Sequence, residues 1–310
     1  MTVLSPNETQ SFRLPDEFFE SWKQRPVRWG FDIGGGNTLG EIIFLSKYSR
    51  LLPSGRKETW AECVRRVVEG VFSILHEHCL AAGRPWDRIR RQADAEQMFA
   101  GMFHMRWLPP GRGLWMMGTP FVRSEGGAAL QNCAFVSTRS LGSGQTWEPF
   151  VRLMEMSMLG IGVGFDTRGR ERLRVWPEPE ARRPHRVLDS REGWADSLRL
   201  LLEAYFSPGA PLPVFDYGAV RAAGQPIVRF GGVSAGPEPL RVLHTRVRSL
   251  LAGHDGRLLS SSGIVDLMNL IGQCVVTGNI GRAAEIALGT PDDHSFLDLK
   301  NPLVNPGRLG

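Results

Sequence analysis

The sequence predicts an α/β protein whose N-terminal layer is helical. Three observations carry this. Residues 60–75 and about 86–106 place apolar side chains at three- and four-residue steps, the period of a buried helix face. Beyond residue 120, short runs such as "CAFVST" (133–138), "GVGFDT" (162–167) and "VFDYGAV" (214–220) read as strands and alternate with helical stretches. The chain has 310 residues, 42% of them hydrophobic and 22% charged, which suits a globular protein with a sizeable core.

The first ~55 residues are rich in Gly, Pro and aromatics and predict a wrapping segment with few regular elements. Within them "DIGGGNTLG" (32–40) lacks the Gly-Lys-Ser/Thr ending of a phosphate-binding P-loop and reads as a tight or mobile turn. Thr59 and Glu62 then form a capping-box pattern that opens a helix with Trp60, Cys63, Val64, Val67, Val68, Val71, Phe72 and Leu75 inward. A second helix is expected to turn Trp86, Ile89, Ala93, Phe99 and Phe103 inward. "EPFVRLMEMSML" (148–159) reads as a helix between two strands. An Arg/Pro-rich stretch from Arg168 to Ser190 reads as an exposed connector. Asp189 and Glu192 suggest a further capping box, for a helix through Trp194, Leu198, Leu201, Leu202 and Tyr205. "RFGGVSAGPEPL" (229–240) is a glycine-rich loop entering a helix at about Pro237, and a last helix is expected over about 262–277.

Composition excludes several classes. No run reaches the ~18 apolar residues of a membrane span, because "GIVDLMNLIGQCVVTG" is broken by Asp266 and Asn269. The N-terminus lacks the basic and apolar regions of a signal peptide, so a cytoplasmic protein is expected. Cys63, Cys79, Cys133 and Cys274 are scattered with no CxxC pair, against a disulfide scaffold or a zinc ribbon. His76 and His78 in "HEHC" fall on different helix faces, so no metal site is expected. The net charge of +5, almost all arginine, suits phosphate-bearing partners but does not choose among them.

Four features could carry chemistry. "GIGVGF" (160–165) is no Rossmann fingerprint, because its glycines follow a helix and enter a strand. Gly162 and Gly164 either allow a ligand close to the backbone or serve plain packing. The loop with Gly231, Gly232, Ser234 and Gly236 either cradles a phosphate or is an ordinary helix entry. Asn279 and Arg282, set among glycines, belong to a base- or phosphate-reading loop or to a simple connector. Cys133 opens a strand beside Asn132. It is either a small core residue or an accessible thiol, and cysteine catalysis needs the latter. Cys63 and Cys274 sit on helical apolar faces and read as structural.

In order along the chain, "RRVVEG", "PPGRGLW", "LQNCAFVST", "FVRLMEMSMLGIGVGFDT", "DSREGWADSL", "RFGGVSAGPEPL" and "VVTGNIGRAAEIALG" resemble the adenosylcobalamin-dependent (class II) ribonucleotide reductases. Each alone is weak; seven in sequence are specific. The resemblance implies a helical N-terminal layer followed by the first half of a ten-stranded reductase α/β barrel. The implied organisation is an irregular segment over 1–40, the helical layer over 41–120 and barrel from 121 to 310. The implied activity is radical reduction of ribonucleotides to deoxyribonucleotides for DNA synthesis and repair, with adenosylcobalamin as cofactor. Implied partners are the ribonucleotide, a deoxynucleotide effector, a thioredoxin-like reductant and the missing C-terminal half, with no membrane or nucleic acid.

By the same resemblance Cys133 is one thiol of the redox pair, Asn132 lines the substrate pocket, and Gly162 and Gly164 lie against the nucleotide. The loops at 230–237 and 278–289 match the two specificity loops. Where relatives carry two adjacent basic residues, this chain has Gly281 and Arg282. The partner of Cys133, the finger-loop cysteine and most cofactor contacts are expected beyond residue 310. The chain is therefore expected to be a fragment or split half that does not turn over alone. The alternative is a non-catalytic nucleotide-binding module derived from this fold.

Overall fold

The computed structural model describes residues 11–30, 39–144, 146–227, 233–254, 256–277 and 284–308. The chain forms two compact units, Met1–Leu130 and Gln131–Gly310.

The first unit is helical among its described residues. It contains α1 (Asp16–Lys23), α2 (Leu39–Ile43) running into a π-helical turn (Phe44–Tyr48), α3 (Trp60–Ala81), α4 (Arg88–Phe103), α5 (Gly111–Met116) and α6 (Pro120–Glu125). The start of α3 is fixed as its sequence predicts. The Thr59 hydroxyl accepts from the Glu62 amide, and the Glu62 carboxylate accepts from the Thr59 amide at 2.8 Å. The Arg56 guanidinium, aided by Thr59, holds Glu62 down at about 2. Two orphan donors of the first turn are thus satisfied.

Trp60, Cys63, Val64, Val67, Val68 and Phe72 of α3 bury against Phe99, Met102 and Phe103 of α4, with Phe19 and Trp22 of α1 closing the cluster. The expected face of α4 is corrected at its start. Ile89 is 85% exposed and Ala93 also faces solvent, while Ala95 is buried. The helix makes its core contacts only from its second turn onward. The first ~55 residues are also more regular than expected, since α1 and the α2–π segment lie within them. Trp22 and Phe44 explain this: each is buried in the aromatic cluster, and packing stabilises helices too short to persist alone.

The second unit is α/β. In order it holds β1 (Cys133–Val136), α7 (Glu148–Met158), β2 (Gly162–Asp166), β3 (Arg182–Arg186), α8 (Arg191–Phe206), β4 (Leu212–Asp216), α9 (Glu238–Ala252), α10 (Ser261–Val275), β5 (Glu285–Leu288) and the single turn α11 (His294–Leu297). Strands β1, β2 and β5 form a parallel sheet in that order, with Cys133 opposite Gly162 and Gly164 opposite Ile286. Strands β3 and β4 form a second parallel pair joined through α8. Helices α7 and α10 pack together, α8 packs on α7, and α9 packs on both α8 and α10. The sheet is an open segment of a barrel, not a closed one.

Two details depart from expectation. The Arg/Pro-rich connector contains a strand, β3, and buries Leu173, Val175 and Val187. Helix α8 is capped by Ser190, whose hydroxyl accepts from the Gly193 amide at 3.0 Å, one residue later than the proposed box. Asp189 instead accepts from the Arg221 guanidinium at 2.8 Å.

Candidate functional site

Alternation along parallel strands gives the three-stranded sheet two unlike faces. Val136, Val163 and Phe165 are buried, with α7 packed against β1 and β2 and α10 against β5. The opposite face carries Cys133, Phe135, Gly162, Gly164, Ile286 and Leu288. Phe135 and Ile286 are 53% and 60% exposed there. Cys133 is exposed on this face at the first position of β1. Asn132, just before it, is exposed, and its carbonyl accepts from the Gly162 amide at 2.9 Å. The structure thus brings Asn132, Cys133, Gly162 and Gly164 together at one end of β1 and β2.

The two glycines differ. A Cβ at Gly164 would lie 3.1 Å from Phe135 Cδ2 and 3.3 Å from Ile286 Cγ2, so cross-strand packing already favours glycine. At Gly162 the nearest atoms are 3.6 Å away, an ordinary contact. The described neighbours do not require glycine at 162. Its bare backbone leaves open surface directly beside the Cys133 thiol.

The far end of the strands is locked. Asp166 accepts from Ser137 Oγ at 2.7 Å, from the Thr138 amide at 2.9 Å and hydroxyl at 2.8 Å, and from the Arg168 amide. Burial would raise its pKa, but these donors outweigh burial and hold it below the ordinary carboxylate range. Asp293 accepts from Thr167 Oγ1, Ser261 Oγ and the Phe296 amide, tying the end of β2 to the start of α10. Sequence reasoning singled out neither aspartate, because most of their partners are distant in the chain.

Of the other predicted residues, Ser234 and Gly236 fall near a groove between α9 and α10. It has a volume of about 530 Å³ and is lined by Ala235, Glu238, Val242, Arg246, Gln273 and Cys274, among others. Arg246 donates to Gln273 Oε1 across it at 2.7 Å. A cavity of this size suits a nucleotide-scale ligand. Ser234 and Gly236 lie at one border. Their amides are engaged inside the loop, Ser234 with the Gln225 carbonyl and Gly236 with Ser234 Oγ. Gly236 has φ +76°, a conformation that favours glycine. Gly231, Gly232, Asn279 and Arg282 lie outside the described residues.

The remaining cysteines are unsuited to redox chemistry. Burial pushes the Cys63 and Cys274 thiols up to about 12, against the partly opposing Arg66 charge at Cys63, and Cys79 is buried. Among the described residues no group of three or more His, Cys, Asp or Glu could hold a metal. The described residues thus offer no ligand set for a corrinoid's metal, and these residues alone do not fit the cofactor that the resemblance implies. No helix there is long and apolar enough to cross a membrane.

An open parallel sheet with an exposed thiol beside a glycine strand is the arrangement that the resemblance to ribonucleotide reductases implies. Comparison with known proteins agrees. Residues 14–119 match the ribonucleotide reductase alpha domain, and residues 168–251 match the insertion domain of B12-dependent ribonucleotide reductase. A probable adenosylcobalamin-dependent ribonucleoside-triphosphate reductase of Dictyostelium discoideum is 42% identical over 96% of the chain, and the Euglena gracilis enzyme is 43% identical over 97%. The chain spans 41% of the length of each. A crystal structure of a B12-dependent (class II) ribonucleotide reductase superimposes with a TM-score of 0.78 at 27% identity, covering 95% of this chain and 47% of that one. The chain belongs to the class II ribonucleotide reductase family and corresponds to the N-terminal portion of its larger members.

The insertion-domain match covers β3, α8, β4 and most of α9, a region that the sequence reading left undivided from the barrel.

Proposed function

We propose that this chain supplies the thiol-bearing first part of a ribonucleotide-reducing barrel and acts only with the remaining part of the family's length. The observation that carries the reading is the exposed Cys133, opposite Gly162 on the unsealed face of the sheet. A ribonucleotide laid along Gly162 and Gly164 would present its ribose to Cys133 and Asn132. Cys133 protonates the departing 2′-hydroxyl, which leaves as water. Cys133 and a second thiol from the remaining part together give up two electrons and two protons, closing a disulfide as the 2′-carbon gains hydrogen. A thioredoxin-like dithiol reopens that disulfide. Adenosylcobalamin, held by the remaining part, would supply the radical chemistry when bound. The α9–α10 groove takes the deoxynucleotide effector, and segments 230–237 and 278–289 act as the specificity loops. Organisation follows the family, with 1–40 as a lead segment, 41–120 as the helical layer and 121–310 as barrel with its effector loops, in the cytoplasm.

The test is reconstitution. Co-expression with a polypeptide supplying the rest of the family's length should give adenosylcobalamin-dependent nucleotide reduction that Cys133→Ser abolishes. Reduction by this chain unaided would overturn the need for a second part. Full activity of Cys133→Ser in the reconstituted complex, with deoxynucleotide binding retained, would establish a regulatory module instead.

A further inference from the structure

Glu285 opens β5 on the sealed side of the sheet, paired in register with Val163. Its carboxyl is turned against α10 at Gly272, where a Cβ would lie 2.2 Å from Oε1. Glycine at 272 is what makes the notch. Oε1 is buried and has no hydrogen-bond partner among the described residues. Beside it lies a cavity of about 390 Å³ lined by Asn269, Gln273, Val276 and Thr277. Ionisation would leave Oε1 buried with neither a donor nor a counter-charge among the described residues, so burial favours the neutral acid.

The neighbouring charges do not change this. On α10, Asp266 is held by Arg308 at 2.6 and 2.8 Å, and Cys274 lines the α9 groove. On β2, Asp166 sits at the far end of the strand with Ser137 and Thr138. Arg246 of α9 is engaged by Gln273. Burial alone pushes Glu285 up to about 7 from an ordinary 4.5.

We propose that Glu285 is a positioning residue that seats the start of β5 on α10 when its carboxyl is neutral and releases it when the carboxyl ionises. The sign follows from linkage. The folded form keeps a proton that the unfolded chain loses near 4.5, so the seating is complete below that value and is lost as pH rises through about 7. Ile286, the next residue, flanks Gly164 on the open face, so the seating of β5 shapes the surface proposed for the nucleotide. A consequence for substrate choice rests on reading 278–289 as a specificity segment; the positioning itself does not.

Hydrogen exchange on the full chain between about pH 5.5 and 8.5, corrected for intrinsic rates, tests the idea. Amides of β5 should lose up to roughly tenfold in protection per pH unit from the acid end up to about pH 7, and level off above it. Amides of α3 should show no such step. Glu285→Gln, which keeps the shape without the charge, should hold β5 protected throughout. A flat wild-type profile, or a Gln variant that titrates like wild type, would overturn the proposal. Isotope-edited infrared on wild type gives a second readout, a carboxylic-acid band disappearing through about pH 7, and absence of that band at the acid end also overturns it. Deoxynucleotide binding is measured separately. A β5 titration without such binding keeps the positioning role and removes the effector reading.

Discussion

The two faces of the β1–β2–β5 sheet are built from the same strands and behave as opposites. One carries Val136, Val163 and Phe165 into a core closed by α7 and α10. The other leaves Phe135, Ile286 and Leu288 half exposed around two glycines and a thiol. Monomeric proteins seldom display adjacent large apolar side chains without using them. The sealed face belongs to the core, and the open face is the one on which the function is proposed.

The sharpest way to break that contrast is chemical. Alkylation of the native chain should label Cys133, with Cys63 and Cys274 at least about a hundredfold slower, because buried thiols pushed up to about 12 hold little thiolate. Equal labelling, read by peptide mass spectrometry, would show that the Cys133 face is no more open than the cores that hold the other two thiols. Next in size is truncation of an aromatic on each side. Phe165→Ala should cost about 3–5 kcal/mol in denaturant unfolding, and Phe135→Ala less than about 1 kcal/mol.

The glycines sharpen the comparison within the open face. Gly164→Val should cost roughly 1–3 kcal/mol, since Phe135 and Ile286 must shift. Gly162→Ala should leave stability within about 0.5 kcal/mol and weaken ribonucleotide binding in the reconstituted complex. A Gly162→Ala variant as unstable as Gly164→Val would return both glycines to packing.

Asp166→Asn, at the locked strand ends, should cost about 1–3 kcal/mol by leaving its donors poorly paired. The lowered pKa of Asp166 means that its contribution holds above the ordinary 3.8 and is lost as pH falls through the lower folded value. The variant's acid-unfolding curve should therefore be flatter than that of wild type.

Local chemistry was legible in the sequence and long-range partnership was not. The Thr59–Glu62 cap needs only four consecutive residues and forms as expected. Ser190 displaced Asp189 as a cap because Arg221, distant in the chain, takes the aspartate. Strand β3 reads Arg-Arg-Pro-His-Arg, with no apolar alternation, and exists through pairing with β4 on the other side of α8. Ile89 fits the helical period but has nothing to pack against so early in α4. Cys133 lay between core residue and accessible thiol, and the structure shows it exposed. The burial of Glu285 could not be read from "AAEIALG", because the notch that receives it belongs to α10.

The pairing of β5 with β2 has a consequence for how the chain folds. All of the matched insertion domain is synthesised between those two strands. Non-local parallel pairing forms late, after a large loop has closed. A growing chain must therefore hold β2 with one edge unpaired while β3 to α10 emerge. That interval is its main exposure to misassembly, and slowing translation across the insertion, which lengthens it, should lower the soluble yield.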